Sequence, residues 1–210
     1  MSTIEYRTTV ESKQLLADEV FHHIGRRIVD GILAPGHRIR DVLVADELHV
    51  SRTPVREALQ RLERLGLVIM YPSRYTEVTP VTPEMVASTL EFAGYQAGAS
   101  ARMAVPRLTA DERFTVADLV DDMRAALDDP ARTADARWAT FSYLGARSGN
   151  PQHAATVNDS GLAVSRNLRN WQVPAEAHER MRALHDAFRD AVLRADGDDA
   201  ERLARLMHHV

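Results

Sequence analysis

Residues 51–63 read Ser-Arg-Thr-Pro-Val-Arg-Glu-Ala-Leu-Gln-Arg-Leu-Glu, and this run decides the fold of the N-terminal part of the chain. It predicts the start of a helix, with Thr53 as the N-cap and Pro54 at the first helical position. Gly66 follows the last apolar residue of the run and is the residue type that most often ends a helix. We therefore expect one short helix between these signals.

The two faces of this helix differ in chemistry. The apolar residues at helical spacing predict the buried face and are Val55, Ala58, Leu59, Leu62 and Leu65. Arg52, Arg56 and Gln60 recur every four residues on another face. Guanidinium groups at the N-terminal end of a short helix suit phosphate oxygens and guanine edges. Taken alone, the arginine face fits a solvated surface equally well.

The flanking segments complete a small domain. A helix over residues 12–30 and a short helix over residues 41–48 are predicted before the arginine helix, with His49-Val50 as the connection. After it, residues 67–70 and 76–79 read as strands joined by a loop over residues 71–75. Three helices and a two-stranded hairpin make a winged helix-turn-helix.

Residues 13–79 resemble the DNA-binding domain of GntR-family bacterial transcription regulators. The resemblance is carried mainly by residues 28–36, 39–41 and 50–59. It implies that Arg52, Thr53 and Arg56, with Pro54 between them, contact DNA in the major groove. Ser51 and Arg40 would contact the backbone or base edges nearby. Ser73 and Arg74 at the wing tip would reach the adjacent minor groove. Many members have a glycine after the position of Arg74, where this chain has Tyr75, so we expect a wing of altered shape.

Composition sets the limits on the rest of the chain. The 210 residues are 45% hydrophobic and 27% charged, which is typical of a soluble globular protein. No apolar stretch approaches the length of a membrane span. The chain has no cysteine, so it forms neither disulfides nor thiolate metal sites. Both observations lead us to expect a cytoplasmic location. Acidic and basic residues balance over residues 1–80, and residues 81–210 carry the net charge of −4. DNA affinity must therefore come from locally placed arginines.

A domain boundary is predicted at Pro80-Val81-Thr82-Pro83, which divides the chain into a winged helix-turn-helix domain, residues 1–80, and a helical domain, residues 81–210. Proline, glycine and capping signals in the second part predict helices over about residues 82–105, 109–127, 133–148, 151–170, 175–195 and 198–209. Six helices with short connections make an all-α antiparallel bundle, so the fold class is mainly α. The small residues 97–101 allow either close helix packing or space for a ligand.

The second part is similar to the helical FCD domain of the FadR branch of the GntR family. Helix order, Ser148-Gly149-Asn150 and the segment around His185 carry this resemblance. Six helices favour the group typified by the vanillate regulator. The resemblance implies a dimer that binds a small effector, an organic acid, inside the bundle.

Many relatives hold a divalent metal through an aspartate, a histidine four residues later and two further histidines. Counted back from Asn150, the first two positions are Arg137 and Phe141, which cannot bind a metal, while His185 and either His208 or His209 match the other two. No cofactor is therefore expected. A register shift of two residues would bring in Asp135. Alternatively, Arg137 stands where the metal would be and binds an effector carboxylate by a bidentate contact, or it is a surface arginine.

Other side chains are expected to face the effector, each with a structural role as the alternative. Beside Arg137, Phe141 and His185, they are Tyr95, Gln96, Arg102, Tyr143, Asn158 and Arg166.

The resulting expectation is a ligand-responsive transcription repressor that binds a palindromic operator in double-stranded DNA as a homodimer. A metal-dependent or metal-sensing regulator of the same fold is one alternative, and a constitutive DNA-binding protein with a purely structural bundle is another. An enzyme is not expected, because the chain has no cysteine, no Gly-x-Ser-x-Gly and no glycine-rich phosphate loop.

Overall fold

The computed structural model describes residues 3–72 and 74–209, with side chains from residue 15 onward. The chain divides into two compact units, Met1–Val81 and Thr82–Val210. Ser73, which the sequence places at the wing tip, lies outside the described residues. No helix among the described residues is long and apolar enough to cross a membrane.

The first unit is a winged helix-turn-helix, which confirms the predicted fold. Its elements are α1 (Thr3–Val29), β1 (Arg38–Ile39), α2 (Asp41–Glu47), α3 (Arg52–Arg64), β2 (Val68–Tyr71) and β3 (Tyr75–Val78). Strand β3 pairs antiparallel with both neighbours, in the order β1-β3-β2. Two details differ from the prediction: α1 begins at Thr3 instead of Ser12, and β1 adds a third strand to the hairpin.

The core of this unit lies between α1, α3 and the sheet. The predicted apolar stripe of α3 is buried except for Leu65, which is partly exposed. The fully enclosed side chains of the unit include Val20, Ile24, Val55, Leu59, Leu62 and Leu67. Because α3 is buried along this stripe, its charged face is fixed in orientation toward solvent.

Helix α3 begins two residues earlier than the cap signals predicted. Ser51, in an extended conformation, is the N-cap, and Arg52 is the first helical residue. Thr53 and Pro54 therefore lie inside the first turn. Proline is tolerated there, since the first N–H groups of a helix have no partner within it. Gly66, with φ of +71°, ends the helix as expected.

The second unit is all α-helical among its described residues, as predicted. Its six α-helices are α4 (Pro83–Ala104), α5 (Ala110–Ala125), α6 (Pro130–Ala146), α7 (Pro151–Leu168), α8 (His178–Leu193) and α9 (Gly197–Leu206), with short 3-10 turns at Val105–Arg107 and Ala175–Ala177. The predicted capping box of Thr109 and Glu112 starts α5. Helix α6 starts at Pro130 with Asp129 as its N-cap, so this proline begins the helix.

Helix α4 is the central element of the bundle and packs against α6, α7 and α9, while α5 packs against α6 and α8. Small residues on α4 allow this packing. A Cβ at Gly98 would lie 2.8 Å from Cγ of Arg205, so glycine lets α9 approach closely. The opposite side of the same small-residue stretch borders an internal cavity, which includes Ala97 and Ser100.

Candidate nucleic-acid interface and buried cavity

Two arginines stand at the exposed start of α3. The side chains of Arg52 and Arg56 are 53% and 58% exposed, and both bind Asp41, the first residue of α2, at 2.9 Å. Burial would raise the pKa of Asp41, but its hydrogen bonds and charge contacts with these two arginines outweigh burial and lower that pKa. The pair is therefore held in one place, with a carboxylate between α2 and α3.

These arginines lie in an open groove formed by α2, α3 and the wing. The groove is lined by Ile39, Arg40, Asp41, Val42, Leu43, Arg52, Arg56, Leu59, Gln60, Glu63, Met70, Tyr71, Pro72, Arg74, Tyr75 and Thr76. Four of the predicted DNA-contacting residues, Arg40, Arg52, Arg56 and Arg74, thus share one surface. Such a concave surface with four guanidinium groups is suited to the phosphates and base edges of a nucleic acid.

The other residues that were predicted to contact DNA differ in their exposure and in their position relative to the groove. Ser51 and Thr53 are exposed at the start of α3, next to the groove but outside its lining. Pro54 is buried, because the helix begins earlier than predicted and turns the ring toward the core. The expectation that Pro54 contacts DNA is therefore corrected to a packing role.

The wing is closed by a tight turn and a stack of side chains. The Arg74 N–H donates to the Tyr71 carbonyl at 3.0 Å, and the rings of Tyr71 and Tyr75 lie 4.8 Å apart. The Arg38 guanidinium lies over the Tyr75 ring, with Cζ 4.1 Å from the ring centre. Tyr75 therefore joins the turn to β1, a contact that a glycine could not make.

The wing is also tied to α3. The backbone N–H of Met70 in β2 donates to the carboxylate of Glu63 at 2.7 Å. This contact satisfies a donor on the outer edge of β2 and fixes the strand against the last turns of α3. The arginine face and the wing are consequently positioned as one surface.

A partly enclosed cavity of about 40 Å³ lies inside the helical unit. Its walls come from α4, α6 and α7, closed by residues near the C-terminal ends of α7 and α9: Ala93, Gln96, Ala97, Ser100, Ala134, Arg137, Trp138, Phe141, Val157, Val164, Ser165, Leu168, Trp171 and His208. The surface is mainly apolar, with a few polar groups that converge on it. This composition is typical of a small-molecule site.

Arg137 is the one cation among the residues that line this cavity. It is only 7% exposed, and its two Nη groups donate to the Met207 carbonyl at 3.4 and 3.3 Å. Its Cζ lies 5.1 Å from the centre of the Trp171 ring. Burial lowers the pKa of Arg137 to about 10, so the group stays charged at neutral pH. No carboxylate among the described residues pairs with it.

The two histidines of the predicted metal set are both buried beside this cation. His208 lines the cavity, and its Nδ1 lies 2.7 Å from the Ala204 carbonyl. His185 lies outside the lining, and its buried Nδ1 has no hydrogen-bond partner in the described part of the chain. Burial and then the charge of Arg137 lower the pKa of both, that of His185 to about 4.

This arrangement does not fit a divalent metal. A fixed guanidinium next to two imidazoles repels a dication, and the described residues contain no group of three or more histidine, aspartate or glutamate side chains that could hold one. Asp135, the substitute in the shifted register, is exposed. Phe141 packs edge-on against His208, with ring centres 5.3 Å apart, and fills the second ligand position with apolar surface.

Several residues predicted to face the effector do not line the cavity. Tyr95 is 50% exposed and contacts the Arg205 guanidinium. Arg102 binds Asp198 on the surface, and Asn158 is exposed. The remaining two, Arg166 and Tyr143, pack elsewhere, against Asn167 and Arg147 respectively. These expectations are corrected: the helix rotation that places Ala97, Ser100 and Val157 inside turns Tyr95, Arg102 and Asn158 outward.

The cavity also contains residues that sequence reasoning missed. Trp138 and Trp171 supply aromatic walls. Ser100, which bonds to His153 at 2.8 Å, supplies a hydroxyl and belongs to the small-residue stretch 97–101, for which space for a ligand was one of the two alternatives. The ring of Trp138 lies against Gly161 across α6 and α7, a contact between residues 23 positions apart that no sequence pattern indicated. Gln96 was predicted and does line the cavity.

Each of the two units matches the model of a known protein family. Residues 16–78 match the model for bacterial regulatory proteins of the gntR family, and residues 97–209 match the FCD domain. The second match alone covers more than half of the chain.

Two curated relatives carry related names. An uncharacterised HTH-type transcriptional regulator of Agrobacterium vitis, from the TAR-I ttuE-ttuC' intergenic region, is 30% identical over 112 residues, 51% of this chain and 65% of the relative. The HTH-type transcriptional repressor RspR of Escherichia coli K12 is 26% identical over 121 residues, 58% of this chain and 53% of RspR. The matched segments thus span between half and two-thirds of these relatives.

Solved structures share the fold. The Escherichia coli McbR/YncC structure has a TM-score of 0.69 at 19% identity and covers 92% of this chain and 93% of that one. A putative GntR regulator from Rhodococcus sp. RHA1 has a TM-score of 0.65 at 20% identity, with coverage of 92% and 93%. At these identities the likeness is one of architecture.

Proposed function

Because the chain belongs to the GntR family of bacterial transcription regulators and carries an FCD domain, we propose that it represses transcription from a palindromic operator. In this proposal two copies bind one operator, and a small anionic effector in the helical unit releases them. The family consists of regulators and not of enzymes. The main support for DNA binding is the pair Arg52 and Arg56, which are held side by side at the exposed N-terminal end of α3.

We propose the following roles for the arginines of the groove. Arg52 and Arg56 contact base edges in the major groove, where a guanidinium matches the two acceptors of guanine. Arg40 contacts the phosphate backbone beside them. Arg74 in the wing reaches the neighbouring groove. In a two-fold symmetric dimer the two α3 helices then read half-sites about one helical turn apart, so that the operator is a palindrome.

Selection of binding sites from a random duplex library at near-physiological salt tests this role. The expected result is one enriched palindrome, bound by a species whose mass in light scattering corresponds to two chains. The Arg56→Ala variant should lose the enrichment. Recovery of no enriched sequence by the wild-type protein, with or without candidate effectors, would overturn the proposal.

The effector part rests on the charge of Arg137. A buried cation without a carboxylate partner is energetically unfavourable, and a ligand anion in the cavity would neutralise it. A carboxylate suits the two Nη groups because it accepts two parallel hydrogen bonds from a guanidinium. The apolar walls then select the rest of the molecule. We therefore assign the effector to small carboxylic acids, bound without a metal.

The size of the cavity limits the effector. At about 40 Å³ the cavity is far smaller than the ~150 Å³ that holds benzene in an engineered protein. Short acids such as acetate and propionate are the candidates that the described conformation favours. A larger acid requires a wall such as Trp138 to move.

Thermal unfolding with acetate, propionate and benzoate, each against its uncharged amide, tests this assignment. An acid that binds should raise the Tm of the wild-type protein, while its amide should not. The Arg137→Met variant should lose the response. Arg102→Met, which removes an exposed arginine outside the cavity, should keep the response. A response that survives Arg137→Met would reject the assignment.

Two alternatives give different results in the same experiments. A metal-dependent regulator would copurify with about one metal ion per chain and would lose DNA binding in a chelator. A constitutive DNA-binding protein would show a palindrome but no Tm shift with any acid. An effector changes DNA affinity only if it binds the DNA-competent and the DNA-incompetent states with different affinity. The acid that raises the Tm must therefore also weaken operator binding.

A further inference from the structure

The carboxylate of Asp41 lies between α2 and α3 and joins the two arginines that the proposed function assigns to base recognition. We propose that Asp41 is a positioning residue for DNA specificity: it holds Arg52 and Arg56 in the orientation that reads bases and keeps them from binding phosphate indiscriminately. This inference rests on the proposed DNA-binding function.

The geometry of the contact is specific. A single oxygen, Oδ2 of Asp41, accepts from Nη2 of Arg52 at 2.9 Å, from Nε of Arg52 at 3.3 Å and from Nε of Arg56 at 2.9 Å. Both guanidinium groups therefore turn their Nε edge toward Asp41. The two Nη groups of Arg56 have no partner among the described residues, so they remain available as a pair of donors.

Asp41 is less exposed than the two arginines that it binds and is the anchor of this contact. Its side chain is 22% exposed, against 53% and 58% for the two arginines. The carboxylate belongs to the first turn of α2, where a negative charge is favourable at a helix N-terminus. The anchor is thus fixed by the helix backbone, while the longer arginine side chains project from it into the groove.

The energetic consequence differs between specific and random DNA. Two unpaired guanidinium groups on a surface bind any phosphate backbone, and this contact is independent of sequence. A carboxylate between them competes with phosphate and repels it. At the correct operator, base edges supply acceptors that the Nη groups can reach while Asp41 stays bound. Substitution of Asp41 should therefore increase the affinity for random DNA more than the affinity for the operator.

The experiment compares the Asp41→Asn and Asp41→Glu variants with the wild-type protein. Affinity for the selected operator and for a random duplex of equal length is measured by fluorescence anisotropy over a range of salt concentrations. Asp41→Asn should bind random DNA about two- to tenfold more tightly, since it loses two surface ion pairs. Its operator-to-random affinity ratio should fall at least about threefold, and the salt slope on random DNA should steepen by about one.

Two control variants, Asp41→Glu and Asp18→Asn, separate positioning from charge and from folding. Asp41→Glu retains the carboxylate and should keep the ratio near the wild-type value. Asp18→Asn removes the same charge from another ion pair of α3, since Asp18 binds Arg61 on the face toward α1. It should leave the ratio unchanged. Thermal unfolding of each variant shows whether its fold is intact.

The outcomes distinguish this inference from the proposed function. If Arg56→Ala lowers operator binding but Asp41→Asn leaves the ratio within about twofold of wild type, the role of Asp41 is refuted and the function stands. A ratio that falls equally in Asp18→Asn would also refute it, because the effect would then be one of net charge. If neither the wild-type protein nor any variant prefers the operator, the proposed function itself fails.

Discussion

The guanidinium of Arg137 lies over the indole ring of Trp171, with Cζ 5.1 Å from the ring centre. The negative face of the ring offsets part of the cost of burying this cation. The offset is incomplete, because burial lowers the pKa of Arg137 to about 10. At neutral pH the helical unit thus contains a fixed positive charge, and this charge acts on the two histidines beside it.

We predict that the protein loses stability as the pH falls from 7 to 5. Burial, followed by the charges of Arg137 and Arg124, lowers the pKa of His185 from 6.5 to about 4. Between these values the unfolded chain binds a proton that the folded chain does not, so the free energy of unfolding rises with pH across this window. His185 alone should account for a loss of about 1–2 kcal/mol at pH 5. Urea unfolding at the two pH values measures it.

The control for this prediction is a matched histidine substitution. His185→Gln should make the free energy of unfolding less dependent on pH between 5 and 7. His37→Gln, which changes an exposed histidine of the first unit, should retain the wild-type dependence. Equal pH profiles for His185→Gln and the wild-type protein would contradict the prediction.

Substitution of Arg56 should weaken operator binding specifically. If this guanidinium reads a base, Arg56→Ala should cost about 1–3 kcal/mol on the operator and much less on random DNA. Arg64→Ala removes the same charge from an exposed position of α3 outside the groove and serves as the control. Anisotropy titrations on both duplexes make the comparison. An equal loss on operator and random DNA would assign Arg56 to a phosphate.

Substitution of Arg74 should change the salt dependence of binding. The wing turn, closed by the bond from the Arg74 N–H to the Tyr71 carbonyl, holds this side chain at the rim of the groove. If it contacts one phosphate, Arg74→Ala should reduce the slope of log affinity against log salt by about one. The loss should be similar on operator and random DNA. An unchanged slope would place Arg74 away from the DNA backbone.

The winged helix-turn-helix and the six-helix bundle could be predicted because their apolar periodicity and end signals are strong. The stripe Val55, Ala58, Leu59 and Leu62 is fully buried as expected. The start of α3 was misplaced because Ser51 and Thr53 are both good N-cap residues, and the proline tolerates either register. Strand β1 was missed because two residues show no alternation, and its pairing with β3 is set by tertiary contacts.

The cavity was harder to predict than the fold. Helix α4 is rich in alanine and glycine over residues 93–101, so its sequence has no clear apolar stripe to fix which face turns inward. Tyr95 and Arg102 were consequently assigned to the interior. Arg137 could be located because it stands at the position of a family metal ligand. The contact of Asp41 with Arg52 and Arg56 could not be predicted, because these side chains are 11 and 15 residues apart in sequence and meet across a turn.

The close contact between Gly161 and Trp138 provides a test of the cavity wall. A Cβ at Gly161 would lie 2.4 Å from Cη2 and 2.5 Å from Cζ2 of the indole, so Gly161→Ala must displace Trp138. Alanine favours the helix by about 1 kcal/mol, but overpacking of this kind typically costs about 1–3 kcal/mol. We expect a net loss of about 1 kcal/mol in the free energy of unfolding, because the large indole must shift to make room for the added methyl group.

The displacement should also be visible in fluorescence and in ligand response. Trp138 is one of two tryptophans, so a shift of its ring should change the intrinsic emission of the folded protein. Because the ring forms a wall of the cavity, the Tm shift produced by a short carboxylate should change as well. Asp159→Ala, an exposed change on the same helix, should alter neither. If Gly161→Ala is more stable than the wild-type protein and its emission is unchanged, the indole does not rest on this glycine.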